Sequence, residues 1–143
     1  MSLPHDGHRI LAELLRHAEN PGAERVHWWL DSPHGAGRDD GWGEAGPVLS
    51  VGVGPGVGVV VWMAGDESFI ATGGVNAEPA TYEKDEWCDV HYPPRTELPI
   101  SVVAEVVERF VEDGGRAASV DWQVYDPQAE SVTYKGQAAD LNP

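Results

Sequence analysis

The sequence predicts an α+β fold: a single domain over residues 1–143 with a mostly antiparallel sheet, an N-terminal helix and a C-terminal helix packed on it. Two stretches, 10–18 and 102–111, repeat apolar side chains at spacings of three and four, the period of a helix with one buried face. Between and after them lie short runs rich in β-branched and aromatic residues, punctuated by glycine, proline and aspartate, which is the pattern of strands and turns. No internal repeat or second compositional regime divides the chain, and 143 residues are enough to bury a core without disulfide or metal staples.

Taken in order, Asp6 is a suitable N-cap for a helix that puts Ile10, Leu11, Leu14, Leu15 and Ala18 on one face and ends at Asn20-Pro21-Gly22. Arg25 to Asp31 (RVHWWLD) reads as an aromatic strand, and Ser32 to Gly46 as a loop by composition. Pro47 to Gly65 is uncharged over nearly the length of a membrane helix. Its alternating Gly52, Gly54, Gly56 and Gly58, with Pro55 in the middle, instead suit two buried strands joined by a tight turn. The second limb, Val59 to Met63, is apolar throughout and fits a central strand covered on both faces.

Asp66-Glu67 turns the chain into a strand over 68–72, which Gly73-Gly74 ends; Thr81 to His91 mixes strand and loop before Pro93-Pro94 breaks it. Ser101 is placed to cap a helix with the stripe Val102, Val103, Val106, Val107, Phe110 and Val111, and Gly114-Gly115 supplies its stop. β-Branched valines disfavour a helix, but here periodicity outweighs propensity. Ala118, Val120, Trp122 and Val124 then alternate with polar neighbours as a half-buried strand, Asp126-Pro127 turns, and 131–134 adds an edge strand.

Composition narrows the function. Twenty-four acidic residues against nine basic ones give a net charge of −15, and eight acids fall in each of residues 1–63, 64–97 and 98–143. A surface so evenly acidic repels phosphate, which argues against direct binding of nucleic acid or anionic lipid and suits a basic protein partner. The single cysteine, Cys88, forms no intramolecular disulfide, and MSLPHDGHRI lacks the basic start and apolar core of a secretion signal.

Chemistry-bearing patterns are sparse. His5 and His8 have a zinc-compatible spacing without a second ligand pair, so no metal or other cofactor is expected. There is no Gly-x-Ser-x-Gly, and the glycine run lacks the lysine and helix start of a phosphate cradle. One cysteine, and therefore no Pro-Cys-x-x-Cys, excludes a zinc nucleobase deaminase. His27 reads as a packed side chain before it reads as a base, and Cys88 and His91, three apart in a strand, project to opposite faces.

Acids beside flat aromatics remain. Asp39, Asp40 and Trp42 form one such group, Asp66 and Glu67 mark an acidic turn, and Glu83, Asp85, Glu86, Trp87 and Asp89 form a second group. Each is a solvated flank of a core tryptophan or a partner interface, where aromatics anchor and acids steer toward lysine and arginine.

Glu97-Leu98-Pro99-Ile100-Ser101, the valine stripe to Phe110, Gly114-Gly115-Arg116 and Val120-Asp121-Trp122-Gln123 together resemble immunity protein family one of bacterial polymorphic toxin systems. The resemblance is specific in the last third and compatible with most of the chain. It implies a cytoplasmic antitoxin that binds and occludes a cognate toxin, frequently one with a nucleic-acid deaminase domain and a basic substrate groove. It also implies no catalytic residues, and makes the helix and Trp122 markers of packing. Two other classes stay open: a small metal-independent enzyme or ligand-binding domain using His27 or the Cys88/His91 region, and a regulatory subunit without a toxin partner.

Overall fold

The computed structural model describes residues 4–31, 47–85 and 88–133, with side chains over 9–31, 47–83 and 89–130. Its elements are α1 (Pro4–Ala18), β1 (Val26–Asp31), β2 (Val48–Gly54), β3 (Val57–Ala64), β4 (Glu67–Thr72), β5 (Ala80–Asp85), β6 (Cys88–Tyr92), β7 (Leu98–Pro99), α2 (Ile100–Asp113), β8 (Asp121–Asp126) and β9 (Ser131–Thr133). The strands form one sheet in the order β6-β5-β1-β2-β3-β4-β8-β9, with β7 pairing to β3 off this path. Pairing is antiparallel except between β1 and β5. The fold is the expected α+β arrangement, with one addition: the sheet curls until its two ends approach. Tyr92 of β6 and Tyr125 of β8 lie with ring centroids 6.1 Å apart, and the His91 amide donates to Glu130 Oε2 at 2.9 Å.

Curling makes two cores. Leu14 and Ala18 of α1 and Val103, Val106, Val107 and Phe110 of α2 pack on Leu49, Val51, Val53 and Val60 from one side. On the other side Val59, Val61, Ile70, Tyr82, Tyr92 and Tyr125 meet one another across the concave face. β3 therefore has both faces covered, as its unbroken apolar run predicts.

The β2–β3 hairpin organises the helices. Gly56, with φ of 74°, makes the turn; its N–H donates to the Ala18 carbonyl at 2.9 Å and its carbonyl accepts the Ile100 N–H at 3.0 Å. One residue thus satisfies an orphan carbonyl of α1 and the first amide of α2. This displaces Ser101 as the cap: Ser101 lies inside α2, whose N-cap is Pro99 with φ of −55° and no side-chain capping bond. Asp6 likewise lies within α1 and not before it, since the helix spans Pro4–Ala18 and proline suits a helix start. The stop at Gly114 stands: φ is 76° and its N–H donates to the Phe110 carbonyl at 2.7 Å.

Two other glycines of the hairpin serve close packing. A Cβ on Gly52 would sit 2.8 Å from the Tyr82 ring, and one on Gly58 would sit 2.6 Å from the Gly52 carbonyl oxygen and 3.1 Å from Val103.

β8 corrects the expected facing. It begins at Asp121, so Ala118 and Val120 precede it; Val124 is 53% exposed while Gln123 and Tyr125 are buried. Alternation assumes one wet face. Here the curled sheet buries the side chains of the concave face, and the helices stop short of covering Val124. Trp122 is half-buried, and its indole N–H donates to the Ala117 carbonyl at 2.8 Å. Trp62 does the same to Gly114 at 2.9 Å, and the Arg116 guanidinium covers the Phe69 and Trp62 rings at 4.4 and 4.9 Å. The chain leaving α2 is therefore strapped to the sheet by two tryptophans and an arginine.

Candidate functional site

Of the acid and aromatic residues singled out in the sequence, Asp39, Asp40, Trp42, Glu86 and Trp87 lie outside the described residues, and so does the side chain of Asp85, the last residue of β5. Asp66 and Glu67 are exposed where β3 turns into β4 at Gly65. Glu83 and Asp89 are exposed and directly opposite each other on β5 and β6. With Glu24, Arg25, Ala23 and Thr81 they line a shallow, open groove of about 400 Å³. Cross-strand neighbours of like charge repel, so this pairing costs the sheet stability.

Arg25, on the wall of the same groove, is bound to another acid. Its Nε donates to Glu97 Oε2 at 2.8 Å, and the Tyr82 hydroxyl donates to the same oxygen at 2.6 Å. The carboxylate hydrogen bond holds the Arg25 pKa above its ordinary value. Burial, followed by the Glu97 bond, raises that of Tyr82 well above the usual phenol range. Asn76 Oδ1 fixes the network by accepting the Thr96 and Glu97 amides at 2.9 and 2.8 Å. Glu97, which the sequence presents only as the start of a family-like motif, is a buried structural acid.

Further along the concave face lies a feature that sequence reading missed. His27, Ser50, Val61, Tyr92 and Tyr125 enclose a cavity of about 70 Å³, with Trp29, Met63, Val90 and Pro127 completing its wall. Its polar groups are relayed. The Ser50 hydroxyl bonds to the Tyr92 oxygen, Tyr92 OH lies 2.5 Å from His27 Nε2, and His27 Nδ1 lies 3.4 Å from the Glu83 carbonyl oxygen. With the proton on Nδ1, His27 donates to Glu83 and accepts from Tyr92. Burial pushes the Tyr92 pKa up to about 12, offset in part by the Ser50 bond and reinforced by the Glu130 charge. His27 is thus packed, as expected, but within an aromatic group: its ring is 5.5 Å from Tyr92 and 6.3 Å, stacked, from Trp29.

Tyr125 stands apart. It is 5% exposed, and its hydroxyl is the buried side-chain polar atom that finds no hydrogen-bond partner among the described residues. Burial, then the Tyr92, Glu130 and Asp126 groups, raise its pKa above the usual phenol range. Trp29, at the rim, is 51% exposed. Alternation along RVHWWLD, with His27 and Trp29 on one face, is the sequence signal for this surface.

The described residues assemble no catalytic geometry at the positions the sequence offered. His91 Nδ1 is engaged by Thr81 Oγ1 at 2.8 Å, and the Cys88 side chain lies outside the described residues, as do those of His5 and His8. Among the described residues no cluster of three or more His, Cys, Asp or Glu could hold a metal ion. No described helix is long and apolar enough to cross a membrane.

The model of the family described as Immunity protein Imm1 matches residues 6–124. The chain belongs to that family. A search of curated proteins finds no match. Membership makes this an immunity protein for a toxin. The Imm1 match runs from α1 into β8, so it embraces the acidic groove and most of the aromatic cavity, while Tyr125, Pro127 and β9 lie beyond it.

Proposed function

We propose that this Imm1 protein is a non-enzymatic inhibitor that binds a cognate toxin acting on nucleic acid and occludes its active site, with a cytosine or adenine deaminase as the toxin class. One observation carries the reading: Glu83 and Asp89 oppose each other across β5 and β6 beside Glu24, exposed, on a protein of net charge −15. Such a patch repels nucleic acid and complements the basic groove of an enzyme that binds it. The residues at 39, 40, 42, 66, 67, 85, 86 and 87 extend the proposed interface, and the proposed setting is the producer's cytoplasm. The cavity does not favour a metabolite-binding domain, since about 70 Å³ is well below the ~300 Å³ at which small-molecule pockets begin.

The test pairs the protein with the toxin encoded beside it. Co-expression rescues poisoned cells, the purified proteins form a stable complex, and deaminase activity on single-stranded DNA or RNA falls with a competitive dependence on substrate. Absence of both complex and rescue refutes the immunity reading for that partner. A complex that leaves substrate binding intact refutes occlusion.

A further inference from the structure

We propose that the aromatic cavity on the concave face receives a lysine side chain of the partner, with Trp29 as the rim on which the stem lies and the Tyr125 hydroxyl as the acceptor that its ammonium reaches. The inference rests on the immunity reading for the identity of the partner, but not for the chemistry of the pocket.

The cavity's hydrogen bonding selects the occupant. Ser50, Tyr92, His27 and the Glu83 carbonyl already satisfy one another, whereas the Tyr125 hydroxyl, in a residue only 5% exposed, has no partner among the described residues. An aliphatic side chain would fill the space and leave that hydroxyl unpaired, which a buried polar group does not tolerate cheaply. A polar group is needed, and a phenol hydroxyl pairs with either a donor or an acceptor. The charges then choose between them: Asp126 and Glu130 both act on Tyr125, Glu130 also on Tyr92, and Glu130 is held in place by the His91 amide. An anionic group is repelled there and a cation is drawn in.

Shape completes the choice. A cavity of about 70 Å³ takes a compact head and a short apolar stem, and its walls are rich in aromatic rings, from His27, Tyr92 and Tyr125, then Trp29 at the opening. A half-exposed tryptophan beside a buried polar end is the composition of a binding hot spot.

The pocket is tested without any toxin by titrating the protein with n-butylammonium chloride, a lysine side-chain mimic, and following the Trp29 indole N–H resonance. Sodium chloride of equal ionic strength, butan-1-ol and methylguanidinium serve as controls. The expected result is saturable, millimolar binding of butylammonium, at least tenfold weaker binding of both other ligands, and a loss of fivefold or more in Tyr125→Phe with its melting temperature unchanged. Tyr125→Phe keeps the ring and removes a hydroxyl that bonds to none of the described residues, so folding is not at risk. Equal binding of butan-1-ol, non-saturating shifts, or an unaffected Tyr125→Phe overturns the proposal. With the toxin domain, Trp29→Ala and Tyr125→Phe should each accelerate dissociation tenfold or more. If a complex forms and both dissociate as wild type, the pocket is not the lysine site and the immunity reading stands. If no complex forms, that reading fails, and the butylammonium titration decides the pocket by itself.

Discussion

Neutralising Glu83 should strengthen the fold and weaken the function. Glu83 and Asp89 are register partners, so their Cβ atoms sit about 5 Å apart. Two unit charges at that distance in water-like surroundings repel by about 0.8 kcal/mol, and physiological salt roughly halves this. Glu83→Gln should therefore raise stability by about 0.4 kcal/mol, a shift of about 1–2 °C in melting temperature for a chain of this size. Asp89→Asn should do the same, and the double variant should gain little beyond either single one, because the first change already removes the repulsion.

Association with the toxin should respond with the opposite sign and a different arithmetic. Each lost carboxylate forfeits a comparable attraction to the partner's cations, slowing the on-rate by about two- to fourfold at low salt, and the two losses should accumulate. The difference should vanish near about 0.5 M salt, where the screening length is only a few ångströms. Chemical denaturation and stopped-flow mixing of the single and double variants measure both quantities. A lower stability for Glu83→Gln would show that Glu83 makes a stabilising contact that outweighs its repulsion from Asp89. Unchanged on-rates at low salt would remove β5 and β6 from the interface.

Three further outcomes rest on the packing. Gly52→Ala drives a methyl to within 2.8 Å of a Tyr82 ring that Glu97 holds in place, so it should cost about 1–3 kcal/mol, read as a lower urea midpoint. Replacing Glu97 by leucine leaves the buried Tyr82 hydroxyl without its acceptor and should cost about 1–3 kcal/mol in the same assay. Tyr92 has its pKa raised to about 12 in the folded state, so the unfolded chain releases that proton first. Its contribution is intact below about pH 10 and is lost as pH rises toward 12, at up to about 1.4 kcal/mol per pH unit. Tyr92→Phe should flatten the alkaline denaturation profile by that slope, leaving the share due to Tyr82 and Tyr125.

What can be read from the sequence is local. The valine stripe of α2, the turn at Gly56 and the stop at Gly114 stem from short-range periodicity and backbone freedom, and each lies where those rules place it. What escapes is long-range. Glu97 meets Arg25 across 72 residues, and nothing within ELPIS marks its glutamate as buried. Ser101 looks like a cap because a free amide needs an acceptor, but the acceptor is the Gly56 carbonyl of a distant hairpin. Alternation assigns Gln123 and Tyr125 to solvent because it carries one bit per residue, inside or outside, and a curled sheet has two insides. The acidic positions are visible as acids, whereas the direct opposition of Glu83 and Asp89 depends on a hairpin register that composition does not specify.

The segment most diagnostic of the family and the surface best suited to a partner are therefore different parts of the molecule, for a physical reason. In 97–123 the polar groups at its helix ends and indoles have close partners: Gly56 caps α2 at one end, Gly114 closes the other, and Trp62 and Trp122 tie down the chain beyond the helix. A segment satisfied internally has little left with which to recognise another protein. The described structure is locally uphill elsewhere, at the repelling pair Glu83–Asp89 and at the unpartnered Tyr125 hydroxyl. Natural sequences concentrate such violations where function requires them. A basic partner would relieve both at once, supplying countercharge to the pair and a donor to the hydroxyl, so the two features agree with a basic toxin surface as the proposed partner.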